Sequence, residues 1–350
     1  MSWDIGPKSS RTVPSCSNSA RGAMAPWDTS TKGRHPMDPG MPDRRTVTAA
    51  LTLAGRAPSR RNTQPWRWRV TDQGVHLHLD PRCSTFATDP ASRDALLGCG
   101  IALHHVSVAF AAAGWATVVR RLPDPARPGL LASLRLVPHR PTMLEKSLRD
   151  AITERRSDDR PYQLRPIPAG YLGLFRERAA ALGGIVRLVS DSDRVHLAEY
   201  ASSRRPTVTC ASGSVLAQVP PPRRALGEGR TGRRTPWPPT ASGSAESMEA
   251  AVVDYAEFFL AGTPGDDALS RLRAGESISA VLLTATNIGL ATCLLTQPLE
   301  SRRDFIRTEV LGGTAFPHAV LRVGWARDTG DPPAVTPRRP VEDLMLPEHH

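Results

Sequence analysis

No uninterrupted run of eighteen apolar residues occurs in the 350-residue chain, so a bilayer-spanning helix is not expected. The first forty residues hold no apolar block of the kind a secretory signal needs; they are rich in Ser, Pro, Gly and charge. Cysteine is sparse. Cys16, Cys83, Cys99, Cys210 and Cys293 are odd in number, scattered, and form no C-x-x-C pair. That pattern argues against a disulfide framework or a zinc cluster, and points to reduced thiols in a cytoplasmic protein. A phosphate loop is missing as well, because Gly98 and Gly100 lack a third glycine and a preceding strand. His104 and His105 have no carboxylate or cysteine at metal spacing, which makes them core or interface residues rather than ligands.

What is present suffices for a core: 40% of residues are hydrophobic, enough for one large domain or two medium ones. The net charge of +11 invites a nucleic-acid reading. Its distribution argues against one. Residues 1–45 contribute +3 and residues 202–247 contribute +5, leaving the rest nearly balanced. Neither basic stretch interleaves aromatics or carries a reading motif, so no nucleic-acid partner is expected.

Residues 1–40 read as a disordered tail or an extension outside the natural chain, with Met41 as the natural start. A helix with an apolar stripe follows through Val47, Leu51 and Leu53. The alternation at 66–71 and 75–79, around Asp72-Gln73-Gly74, predicts a β-hairpin. Residues 90–114 predict a long small-residue helix ending at Gly114. "ATVVRRL" and "LLASLRLVP" predict strands, and "TMLEKSLRDAITERRS" a helix. Further helices are expected near 168–182 and 192–201, around a strand at 184–190. Residues 202–247 break the pattern. They are rich in Pro, Arg, Ser and Gly, without a period of 3.6 or 2, as in a linker or an out-of-frame translation. Beyond them a helix at 265–274, a second long helix ending near Gly289, an amphipathic "RRDFIRTEVLGG", a strand "HAVLRVGWA" and an extended proline-rich end are expected.

Two of these helices resemble each other. "VSVAFAAAGWATVV" (106–119) and "AVLLTATNIGLATCLL" (280–295) both pass through Gly-Trp/Leu-Ala-Thr into apolar, strand-like residues. A duplicated chain would fold as a pseudo-dimer with a site at the seam.

Six segments in order carry a wider resemblance: "RAPSRRNTQPWRWRV", "LLGCGIALHHVSVAFAAAGW", "ERRSDDRPY", "LRAGESISAVLLTATNIGLATCLLTQPLE", "LRVGWA" and "PPAVTPRRPVEDL". Together they resemble the nitroreductase superfamily of flavoproteins, and within it the dormancy-associated NAD(P)H nitroreductases of actinobacteria. The resemblance covers 41–200 and 250–345. It implies an α+β, FMN-binding fold duplicated within one chain. Residues 41–150 would form the first half and 151–345 the second, interrupted by 202–247. It further implies reduced NADH or NADPH as electron donor and a small-molecule nitro or quinone acceptor. A flavin-binding protein with little turnover, for sequestration or redox sensing, is the alternative. A monomer would suffice, though a homodimer is open, and no membrane partner is expected.

The residue chemistry suits that cofactor. Arg155, Arg156, Ser157 and Arg160 offer guanidinium forks and a hydroxyl to a phosphate. Arg338 and Arg339 could close on it from the C-terminal segment. Asn62 and Gln64 offer amide donors and acceptors to a ring edge. Around them Pro65, Trp66, Arg67 and Trp68 would complete one wall of the pocket, the tryptophans supplying flat apolar surface. Gly289 and Leu290 would let backbone approach closely. No side chain need act as nucleophile or general base. The chain departs from the subgroup at Arg61, where a His is usual, and at the acidic Asp159 beside the expected phosphate site.

Overall fold

The computed structural model describes residues 40–83, 92–190, 193, 255–299, 303–327 and 333–347. The expected tail at 1–40 (save Gly40), nearly all of the expected helix at 192–201 and the anomalous stretch 202–247 lie outside them.

Helix α1 (Arg44–Ala54) opens on Asp43, whose carboxylate accepts from Thr46 N at 2.7 Å. Val47, Ala50, Leu51 and Ala54 form its buried stripe. The hairpin forms as the alternation predicts, with β1 (Trp66–Thr71) antiparallel to β2 (Gly74–Leu79). Helix α2 (Arg93–Ala112) follows, then β3 (Trp115–Arg121) and β4 (Leu130–Pro138). Together the strands make an antiparallel sheet in the order β1-β2-β4-β3. A reciprocal capping box between Thr142 and Glu145 starts α3 (Met143–Glu154).

The second group repeats the order. Helix α4 (Ala169–Ala180) leads to β5 (Ile185–Leu188) and β6 (Glu257–Thr263). Helix α5 (Ala268–Asn287) leads to β7 (Ala291–Leu295) and β8 (Phe316–Gly324). Their antiparallel sheet has the order β5-β6-β8-β7. The mix of helices and antiparallel strands is an α+β fold, as expected. "RRDFIRTEVLGG" forms short helical turns at Arg303–Phe305 and Ile306–Val310.

One expectation needs correction. The two helices foreseen on either side of Gly275 are a single 20-residue helix, α5. Gly275 does not break it because that glycine is where α5 crosses α2. A Cβ at Gly275 would collide with Leu97 O, and one at Gly100 with Leu272 O. Backbone meets backbone there, which only glycine permits. Higher on the same crossing His104 Nδ1 lies 2.8 Å from Ser279 Oγ. Helix α2 has the length and apolarity to cross a membrane, but 83% of its apolar window is covered by protein. One cluster of buried side chains runs from α1 through α2 and α5 to β8. Cys99 and Cys293 are buried thiols outside any disulfide, and Cys99 Sγ donates to Pro65 O at 3.4 Å.

Candidate functional site

The connection from α1 to β1 is backbone under strain. Arg61, Asn62 and Gln64 all have positive φ, at 49°, 57° and 50°. Asn tolerates that region; Arg and Gln rarely occupy it, and such strain collects at functional sites. Ser59 helps impose it, its Oγ accepting from Gln64 N at 2.9 Å. Pro65 locks the end of the loop. It packs toward Gly98 of α2, and its carbonyl accepts from Asp80 N at 2.8 Å.

Beside this loop lies an open cleft lined by Arg56, Arg155, Arg156, Ser157, Val335, Thr336 and Arg338. Four guanidinium groups meet there, and none of the lining residues is a carboxylate. Several are anchored from behind by backbone. Arg56 donates to Ile152 O and Thr153 O at 3.3 and 3.0 Å, and Arg156 to Thr153 O at 2.6 Å. These are the carbonyls at the C-terminal end of α3, where the helix dipole favours cations. Arg155 is 7% exposed, and its Nε is buried without a hydrogen-bond partner. Burial, then Arg338 and Arg156, pushes its guanidinium down to about 10. Arg338 and Arg56 are shifted down too, burial first and neighbouring arginines next. The groups stay protonated at neutral pH. The shifts mark burial first and neighbouring positive charge second.

Of the residues expected at the site, Arg155, Arg156, Ser157 and Arg338 meet in this cleft. Ser157 is held there by a parallel bridge to Thr292 on β7, with Asp158 N donating to Thr292 O at 2.9 Å. Asn62 and Gln64 adjoin it, but their amides bind the C-terminal segment. Asn62 Nδ2 donates to Pro337 O at 2.8 Å, and Asn62 Oδ1 accepts from Arg338 at 2.9 Å. Gln64 Oε1 accepts from Arg339 N at 2.9 Å.

Other expected residues are placed elsewhere. Trp66 and Trp68 are 0% exposed, on the core face of β1. Residues at i and i+2 of a strand share a face, and here that face packs on the core. Each buries about 200 Å², roughly 5 kcal/mol of transfer free energy, so they hold up the wall from inside. Arg67 donates to Asp80 Oδ2 at 2.7 Å and to Asp343 O. Arg160 is taken by Asp158 at 2.8 Å. Arg339 reaches back to Gln64 O. Gly289, with φ +84°, and the buried Leu290 close the turn from α5 to β7 without lining the cleft. Asp159 is exposed and also outside the lining. His105 is buried in α2 with both ring nitrogens unpartnered. Burial, then Arg155, holds it well below the usual histidine range.

Sequence reasoning missed Arg56, Val335 and Thr336. The signal for Arg56 was its place at the head of the "RAPS" run; Val335 and Thr336 had none beyond adjacency to "PRRP".

"Putative NAD(P)H nitroreductase Rv3131" of Mycobacterium tuberculosis is 40% identical over 330 residues, spanning 90% of this chain and 95% of that one. The chain belongs to the NAD(P)H nitroreductase family. A second nitroreductase of that organism, "Putative NAD(P)H nitroreductase acg", is 35% identical over 325 residues, 87% of this chain and 98% of its own. No protein-family model matches. A solved structure similar in part is the FMN-dependent nitroreductase NfnB of Mycobacterium smegmatis in complex with NADPH. It is 16% identical over 59% of this chain and 96% of that chain, with a TM-score of 0.34. A second solved structure, "a putative nitroreductase in complex with fmn" from Desulfovibrio desulfuricans, aligns over 58% of this chain and 97% of its own, at 14% identity and a TM-score of 0.37.

Proposed function

We propose that this nitroreductase-family chain is an FMN-dependent oxidoreductase whose cofactor phosphate sits among Arg56, Arg155, Arg156 and Arg338. The observation that carries the reading is the cleft itself: four guanidinium groups, two of them (Arg155 and Arg338) with an orphaned buried Nε, and no lining carboxylate. Guanidinium forks match phosphate oxygens, and a dianion offsets like charges that otherwise repel. The residues present therefore fit the phosphate end of FMN. Ser157 and Thr336 add hydroxyls at the same place. The strained loop 59–64 adjoins the cleft through Asn62, which bonds Pro337 O and Arg338.

When bound, the flavin would accept hydride from NADH or NADPH and pass reducing equivalents to a nitro or quinone acceptor. The chain's own part is to bind, orient and neutralise. The reading extends to architecture: a duplicated unit folded as a pseudo-dimer, sufficient as a monomer, in the cytoplasm. Its support is the shared strand order of the two sheets and the reciprocal contact of Gly100 with Leu272 and Gly275 with Leu97.

The test is the visible absorption spectrum of purified protein with the released cofactor identified. FMN near one per chain supports the reading, and NADPH oxidation with a nitroaromatic acceptor then establishes turnover. Bound FMN without turnover favours sequestration or sensing instead. A colourless protein that takes up no added FMN sinks the assignment.

A further inference from the structure

The C-terminal segment 333–347 has no strand and no α-helix, only one 3-10 turn at Glu342–Leu344. Pro333, Pro337 and Pro340 hold it extended, which lowers the conformational entropy lost when it docks. Its polar attachments gather on the loop and strand that begin the first sheet. Asn62 bonds Pro337 O and Arg338, while Gln64 Oε1 takes Arg339 N. Arg67 bonds Asp343 O, and Leu346 N donates to Trp68 O at 2.7 Å. At its middle, Thr336 and Arg338 form one wall of the arginine cleft. Val335 stands 58% exposed at the rim.

This segment is a strap carrying one of the four cleft arginines. Docking brings Arg338 against Arg56, Arg155 and Arg156. Without an anion, like charges oppose that approach; with one, the same charges favour it. The two amides that hold the strap lie outside the cleft lining and offer no net charge, only fixed positions for Pro337, Arg338 and Arg339. We infer that the strap is a phosphate-coupled latch: a phosphate-bearing ligand in the cleft draws residues 333–341 onto the 62–64 loop, and Asn62 and Gln64 are positioning residues that set Arg338 on that phosphate. This rests on the cleft being a phosphate site, but not on which redox partner the protein uses. Coupling of this kind is reciprocal, so whatever opens the strap weakens phosphate binding by the same factor.

The experiment uses the full chain and inorganic phosphate as probe, at constant ionic strength. Calorimetry reads binding. Hydrogen exchange reads the strap amides of Arg339 and Leu346. Phosphate at ten times its Kd is expected to slow exchange at Arg339 about tenfold. Gln64→Ala is expected to abolish that protection and weaken phosphate about fivefold, while Gln64→Glu, which keeps the acceptor, restores protection. Arg338→Met separates latch from plain packing: its strap is expected to be protected equally with and without phosphate, because the opposing charge is gone. Phosphate binding with unchanged exchange at Arg339 overturns the latch and leaves the cleft assignment standing. No phosphate binding at tens of millimolar overturns both.

Discussion

Around Asp266, Arg93 donates at 2.6 Å and Arg271 at 3.2 Å. Around Asp80, Arg67 donates at 2.7 Å and Arg82 at 3.1 Å. In the cleft, Arg56, Arg155, Arg156 and Arg338 converge with no carboxylate in the lining. The same side chain thus serves two opposite purposes. Near Asp80 and Asp266 it closes an internal charge balance and joins elements distant in sequence, α2 to the β6–α5 turn in the case of Arg93. In the cleft the balance is left open on one side, and carbonyls at the end of α3 hold the groups in place without neutralising them. An arginine cluster reads as structural when its counter-charge is in the fold, and as a binding site when it is not.

The largest expected break in this comparison is Asp266→Ala. It removes the carboxylate that Arg93 and Arg271 share, and should cost about 3 kcal/mol in chemical denaturation. An unchanged denaturation midpoint would show that the hub is ornamental. Arg155→Met should do the reverse. It removes a mostly buried charge that lacks a partner at Nε, so stability should change by less than about 1 kcal/mol or rise. Phosphate at 100 times its Kd should stabilise the native chain by about 2.7 kcal/mol, and the same concentration should stabilise the variant far less. A variant that unfolds easily yet binds phosphate normally would invert the assignment.

Acid tests the Asp266 hub in another way. Burial, against the pull of Asp266, pushes His318 down to about 3. Its ordinary value is 6.5, so between about pH 3 and 6.5 the unfolded chain binds the additional proton. The contribution is complete above pH 6.5 and is lost as pH falls through that window. Asp266 acts in the same direction at lower pH. Burial pushes its carboxyl up, but hydrogen bonds from Arg93 and Arg271 outweigh that and hold it well below the usual range. His318→Gln, which keeps a group to meet Thr263 Oγ1 where Nε2 now lies 2.6 Å away, should flatten the pH dependence of the denaturation midpoint between pH 4 and 6.5. A profile as steep as wild type would move the acid sensitivity elsewhere.

Local signals made most of the fold legible. The alternation of 66–79 and the small-residue run of α2 each act within a few residues, so their elements appear where the periodicity puts them. Gly275 was misleading because a glycine in a helix looks like a stop unless its crossing partner, Gly100, is known. The site was legible in part. "ERRS" and "TPRR" do supply the cleft; Glu154, Asp158 and Asp159 flank the first run in sequence, but none of them is in the lining. Arg160 failed that test through Asp158, two residues away, and Arg67 through Asp80 across the hairpin. The tryptophans were taken for a pocket surface, but strand geometry turned both inward.

By itself the sequence determined the elements, the family and the excess of positive charge, since each depends on residues near one another in the chain. Only the tertiary structure decided which arginines are neutralised and which are open. Charge pairing acts through space: Arg93 finds Asp266 across 173 positions, and Arg338 reaches Asn62 across 276. No local pattern encodes such distances.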